Sequence, residues 1–385
     1  MSKAKDQALL VIPPITAHIS ERGHLVLTDK FLSGMTAYAH RWPGPVTALV
    51  RVTDEPDNNL DHIEVVPNDF PFGIQQIPPT NELLYRRMRE AAIVLGGPRS
   101  VAGVQQVTVA ETSLATRLQI IAATTPGIVR RYKRFGVACL DAYKERRAVQ
   151  TMAGIQCNGT PTYNVYKTCN SNCMLFFDSR IETNDLITEE ELQKRTNRLR
   201  NKAPLRIGFS GRLVKIKGVD GIPAIADELR RRGVCFEFDI FGGGESEEQV
   251  RQEIQQRGLQ SIVRLRGVLR YREELLPEFR ENLDLFVCPH VQGDPSCTYM
   301  ETLACGVPIL GYANEAWTGM VALSGAGWTT AIRDIAATAA KIAELDQNRN
   351  QLIEASAAAR TFAANHLFES TMDRRVEHLV SCLQA

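Results

Sequence analysis

A chain of 385 residues has room for two domains with full cores, and 44% hydrophobic with 23% charged residues is ordinary globular usage. Its 45 basic and 44 acidic side chains leave a formal net charge of +1, so nothing in the overall balance demands a polyanion and nucleic acid is not favoured. Nine cysteines, odd in number and mostly within apolar runs (Cys139, Cys235, Cys288, Cys305), point to reduced core residues of a cytoplasmic protein. No run has the length of a secretion signal or a membrane span.

In chain order, residues 8–12 read as a strand, followed by a Pro-Pro loop and a polar segment to about Gly23. Helical spacing at 31–42, a strand at 46–52 after Gly44-Pro45, and short apolar runs at 62–67 and 92–97 continue the alternation. Strands alternating with helices imply βαβ units and a parallel sheet. Residues 126–147 form an amphipathic helix with Ile128, Val129, Tyr132, Phe135 and Cys139 on one side and Arg130, Arg131, Lys133 and Arg134 on the other. That face suits either anionic lipid head groups or a helix packed on its own sheet. A strand at 153–159 follows, and Cys169 and Cys173 form a lone CxxxC, a weak metal signal set against two thiols at a helix start. The charged run 184–204 reads as the linker between domains.

The pattern then restarts. Strands are expected at 205–211, 235–244, 263–267 and 284–289, with helices at 219–233 and 271–282. Each strand ends at glycine or proline before a loop, which places Gly211, Gly242, Gly243, Gly244, Gly267 and residues 290–297 along one edge of one sheet. A short helix from Thr298 to Cys305, capped by Ser296, carries one carboxylate, Glu301, and Gly306-Val307-Pro308 leads into another strand. The tail holds helical patterns at 331–345, 350–366 and 373–383. Arg212 and Lys217, on a loop closed by Gly218, can point two cations at one diphosphate, helix N-terminal amides near 219 and 297 add to them, and Glu301 can accept from a vicinal diol. Together these residues suit a nucleoside diphosphate. No DxD triplet occurs, which disfavours a metal-bridged diphosphate.

The segments FSGRLVKIKGVD, DIFGGGES, DLFVCPH and METLACGVPILG resemble, in order and spacing, the C-terminal domain of the family 4 (group 1) glycosyltransferases across residues 205–312. The resemblance implies an α/β GT-B fold, two Rossmann-like doubly wound domains facing each other across a cleft. It implies an acceptor-binding domain at 1–185 and a nucleotide-sugar domain at 205–366. A last helix, about 367–385, packs back on the first. Arg212 and Lys217 would hold the diphosphate, Gly211, Gly242, Gly243 and Gly244 would let the nucleotide approach, and Glu301 would bind ribose beside Ser296, Cys297 and Thr298. The family's first glutamate falls on Gly293, with Asp294 next to it as the substitute carboxylate for the donor sugar. The family's glycine-rich first loop and its histidine have no clear counterpart, His18 and His24 being the nearby histidines. Asn314, Glu315 and Trp317 line the site or, for the tryptophan, fill the core.

The expected function is retaining, metal-independent transfer of a sugar from a nucleotide sugar to a glycan or lipid-linked acceptor in polysaccharide or glycolipid biosynthesis, with no cofactor. The expected location is cytoplasmic, with peripheral membrane contact through 128–147. A nucleotide-sugar epimerase of the same fold and a catalytically silent sugar-nucleotide binder are the alternatives.

Overall fold

The computed structural model describes residues 7–54, 62–65, 69–97 and 100–384. Strand β1 (Leu9–Ile12) is buried at all four positions, as a strand covered on both faces must be. Where a loop and polar segment were expected, β2 (Thr16–Ile19) and β3 (Leu25–Thr28) form an antiparallel hairpin, each strand too short to show a period. Thr28 then accepts from the Phe31 N–H and, with Asp29 in the first turn, starts α1 (Asp29–Arg41). The unit continues through β4 (Val46–Thr53), β5 (His62–Val65), β6 (Gly73–Gln76), α2 (Asn81–Glu90), β7 (Ile93–Gly96), β8 (Gln106–Ala110) and α3 (Leu114–Thr124). It closes with α4 (Ile128–Val149), β9 (Gly154–Asn158), α5 (Gly159–Tyr166) and β10 (Cys173–Phe176). Val66 and Pro67, included in one expected apolar run, lie outside the described residues. The strands form one sheet in the order β10-β9-β8-β7-β1-β4-β2-β3-β5, with β6 also paired to β4.

Residues 184–204, read as a linker, instead carry α6 (Glu189–Arg200), started by a reciprocal Thr188–Glu191 capping box. This charged helix has no full apolar stripe, and a buried cation fastens it together with the core residue Leu199. Arg195 is 1% exposed and donates to the carbonyls of Cys305 (2.9 Å), Gly306, Phe279 (3.0 Å) and Arg280 (2.8 Å). Helix α6 is thus built into the second unit.

That unit runs β11 (Leu205–Ser210), α7 (Ile222–Arg231), β12 (Phe236–Phe241), α8 (Glu247–Gln256), β13 (Val263–Gly267), α9 (Leu276–Asn282) and β14 (Leu285–Cys288). It continues through α10 (Cys297–Ala304), β15 (Ile309–Tyr312), α11 (Glu315–Ser324), β16 (Gly327–Thr330), α12 (Ile335–Gln347) and α13 (Arg349–Ala364). Its six strands are all parallel, in the order β13-β12-β11-β14-β15-β16. Two apolar clusters cover the two faces of this sheet, so both sides are dry. The chain then crosses back, and α14 (Phe368–Gln384) buries Met372, Val376, Leu379 and Cys382 in the core of the first unit with Leu9, Val46 and Ile93.

Cys288 and Cys305 are buried as expected, but Cys139, on the open side of α4, and Cys235, in the turn just before the strand at Phe236–Phe241, are exposed. Cys169 follows the end of α5 and Cys173 begins β10, 3.6 Å from Cys157, so neither starts a helix. Among the described residues no cluster of three or more His, Cys, Asp or Glu is placed to hold a metal.

Arg195→Met leaves four carbonyl acceptors without their donor, and a loss of about 3–5 kcal/mol in urea unfolding is expected. An unchanged midpoint would show that α6 is held by something else.

Candidate functional site

In the second sheet the strand order reverses between β11 and β14, so the carboxyl ends of these two strands frame a crevice. The loop leaving β11 makes a 3-10 turn at Lys215–Lys217 and closes on Gly218 at φ +70°. A Cβ on Gly218 would lie 1.9 Å from the Pro289 carbonyl oxygen, so the loop is pressed backbone to backbone onto the end of β14. This contact carries Lys217 to the 290–296 loop, where its Nζ lies 3.3 Å from Asp294 Oδ2. Lys217 and Asp294 are therefore brought together. Arg212 stands exposed on the same loop and makes none of the ion pairs found among the described residues.

Gly242, at φ +121°, is required by the protein itself: a Cβ there would meet the Gly211 carbonyl oxygen at 2.0 Å. Gly244 is likewise closed in by the backbone of Leu213, whereas Gly243 has nothing nearer than 3.4 Å. Ser296 is the N-cap residue of α10, although its side chain makes no capping bond. Cys297 faces the first unit rather than the crevice. Its Sγ lies 3.4 Å from Lys30 Nζ and 3.7 Å from Asp178 Oδ2, and burial together with Asp178 pushes the thiol up to about 12.

Glu301 is 9% exposed, and Arg180, on the segment after β10, donates to its Oε1 at 3.2 Å. Burial pushes the Glu301 carboxyl upward, and Arg180 pulls it back in part. Gly293 is clamped by α3: its N–H donates to Gln119 Oε1 (3.0 Å) and its carbonyl accepts from Thr116 Oγ1 (3.0 Å). A Cβ there would meet Glu315 and Thr116 at 3.3 Å, so a glutamate at this position would have to displace the neighbours. Ser113 Oγ donates to Glu315 at 2.8 Å and completes this seam between the units. Trp317 is fully buried, stacked on Tyr299 at 5.2 Å and donating to the Trp328 carbonyl, so it belongs to the core. Asn314 is also buried, donating to the His290 carbonyl and the Tyr299 hydroxyl. His18 and His24 lie on the hairpin, against His62 and Glu64, outside the cavity described below.

Residues 190–362 match the family model of the group 1 glycosyl transferases. The amylovoran biosynthesis glycosyltransferase AmsK of Erwinia amylovora is 28% identical over 164 residues, 41% of this chain and 40% of that protein. This match spans less than half the length of the curated relative. Two solved structures extend the likeness over nearly the whole chain. WaaG, a glycosyltransferase involved in lipopolysaccharide biosynthesis, superposes with TM-score 0.62 at 14% identity, covering 96% of this chain and 98% of its own. HepE of Anabaena, solved with UDP-glucose, gives TM-score 0.60 at 12% identity, covering 97% and 99%. The fold is GT-B.

The group 1 match begins inside α6 and so takes in the crevice but none of the first unit. That unit supplies the groups that residue patterns did not reveal. A cavity of about 1920 Å³ is lined by Glu111 beyond β8, Asp178 beyond β10, Lys30 of α1, Arg375 of α14 and, from the second unit, Tyr271. Asn158 donates to Glu111 at 2.7 Å, and burial raises that carboxyl while Asn158 offsets part of the effect. Lys30 and Asp178 form an ion pair; burial alone would lower the Lys30 ammonium, but Asp178 and Cys297 outweigh it and raise it. Arg375 stacks over Phe176 at 4.2 Å. Arg212, Lys217 and Glu301 do not line this cavity; Glu301 and Cys297 border it, because Arg180 and Lys30 line it and reach them. His290, fully buried beside Lys217, is held neutral by that burial and that charge, and neither ring nitrogen has a partner among the described residues. One signal in the sequence could have pointed to Glu111 and Asp178: each follows a strand-like run, as the second unit's site residues do.

Gly218→Ala is expected to cost about 3 kcal/mol, from strain at positive φ and the overlap with Pro289. Gly243→Ala should stay within about 0.5 kcal/mol. Thermal unfolding of the two variants checks the contrast, and equal losses would contradict it.

Proposed function

We propose that this chain is a glycosyltransferase that moves a sugar from a nucleoside diphosphate donor to a glycan or lipid-linked acceptor. The observation that carries the reading is the meeting of Lys217 and Asp294 at the reversal of strand order, with Glu301 in the helix that follows. The group 1 match over this segment and the names of the proteins similar to it support polysaccharide or lipopolysaccharide assembly as the setting. HepE was solved with UDP-glucose, which makes uridine nucleotides the first donors to try.

Departure of the sugar leaves negative charge on the β-phosphate and positive charge on the anomeric carbon. Arg212 and Lys217 stabilise the first, and Asp294 addresses the sugar from beside Lys217. With those cations in place and no DxD triplet in the sequence, the diphosphate needs no bridging metal. The reading includes retention by a front-face route, in which the departing phosphate helps to take the proton of the acceptor hydroxyl. Lys30, Glu111, Asp178 and Arg375 offer donors and acceptors for the acceptor across the cleft. A silent nucleotide-sugar binder is the second reading, favoured by the crowding at Gly293 where the family's first glutamate would stand.

Helix α4 supports contact with a membrane surface. Its apolar stripe does not pack on the sheet: Ile128, Val129 and Tyr132 are 67%, 78% and 66% exposed, flanked by exposed Arg130, Lys133 and Arg134. Phe135 alone of the stripe's large side chains is half-buried. A helix with exposed aromatic and aliphatic groups beside several cations fits an anionic bilayer surface. Among the described residues no helix is long and apolar enough to cross a membrane.

Incubation with labelled sugar nucleotides, with and without membrane lipid extract, should give product only when acceptor is present; binding without turnover under every condition would favour the silent reading. Arg212→Ala and Lys217→Ala should each weaken UDP binding at least about tenfold while leaving uridine nearly unchanged. Equal losses for both ligands in calorimetry would sink the diphosphate assignment. In sedimentation with phosphatidylglycerol vesicles, Arg130→Glu combined with Lys133→Glu should abolish binding, and retained binding would remove α4 from the contact.

A further inference from the structure

The proposed role of Glu301 needs a charged, oriented acceptor at a position where burial works against charge. We infer that Arg180, which lies outside the group 1 match, is a positioning residue that keeps Glu301 ionised and oriented for the ribose. This rests on the donor-site reading above.

The geometry is specific. Arg180 Nη2 donates to Glu301 Oε1 at 3.2 Å, which leaves Oε2 to accept from a ribose hydroxyl. The guanidinium lies 4.3 Å above the Tyr271 ring, so its plane is fixed from the second unit while its backbone belongs to the segment leaving the first. Of the other groups facing Glu301, Lys30 attracts it and Asp178 repels it. These two form an ion pair with each other and so largely offset. Tyr271, Cys297 and Cys305 complete the surroundings, and burial holds all three in their protonated, neutral forms. Arg180 is therefore the one cation that hydrogen-bonds the Glu301 carboxylate among the described residues.

The direction of the pH effect follows. Burial raises the Glu301 carboxyl and Arg180 opposes that rise. Without Arg180 the carboxyl takes up its proton at a higher pH. Protonation removes the charge that strengthens a hydrogen bond from a ribose hydroxyl. Loss of Arg180 should then weaken ribonucleotide binding at low pH and spare it at high pH.

Calorimetric titration of the full chain with UDP and with deoxy-UDP lacking both ribose hydroxyls (2′,3′-dideoxy-UDP), at about pH 6 and about pH 9, tests this. For Arg180→Ala the expected result is a loss of about tenfold in UDP affinity at the lower pH, largely recovered at the higher, with deoxy-UDP unaffected. Arg180→Lys should retain most of the affinity, and in a Glu301→Gln background Arg180→Ala should add no pH dependence. A loss that is equal at both pH values, or equal for both nucleotides, would overturn the role of Arg180 while leaving the donor site intact. A native chain that fails to distinguish UDP from deoxy-UDP would instead remove the ribose assignment of Glu301, and this proposal with it.

Discussion

A carboxylate nine-tenths buried at Glu301 is balanced by a guanidinium from the other unit, and the crevice is organised around that pair. An uncompensated charge at such depth would cost several kcal/mol or be neutralised. Arg180 relieves the cost from the segment leaving β10, so the two units are tied at the place where a nucleotide's ribose is proposed to sit. Lys30 and Asp178 repeat the logic one step away, against Cys297 at the start of α10. These two pairs put partnered charges in the cleft, whereas Arg212 stands exposed with no ion pair among the described residues.

The same seam explains the unusual loop at 290–296. Gly293 gives both its backbone groups to α3, and Glu315 accepts from Ser113, so the segment proposed to read the donor sugar is also a contact between the units. A longer side chain at Gly293 would compete with that contact. Asp294 is left on the crevice side, beside Lys217. The cavity lies toward the first sheet, where Glu111, Asp178 and Lys30 stand at or near strand ends.

Much of this was legible in the residues. Strands ending at glycine or proline located the edge that carries Arg212, Lys217 and Asp294, because a parallel sheet places every strand end on one side. The charged run 184–204 has the sequence of a linker and the structure of a packed helix, because Arg195, one buried cation meeting four carbonyls, does much of the work that an apolar stripe does elsewhere. Strands β2, β3 and β10 are four residues long and give no period to detect. Glycines 242 and 244 were read as room for a ligand, yet they first make room for the neighbouring backbone. Arg180 could not be paired with Glu301 from sequence, since such partners are set by how two separately folded sheets meet.

The central claim is that a nucleoside diphosphate binds at the reversal of strand order in the second sheet, with its diphosphate on Arg212 and Lys217 and its ribose on Glu301. A crystal structure of the chain with UDP tests it most directly. The account predicts the β-phosphate within hydrogen-bond reach of both cations and a ribose hydroxyl on Glu301 Oε2, with Arg180 still on Oε1. UDP bound in the large cavity toward the first sheet, with the 212–218 loop and Glu301 untouched, would contradict it.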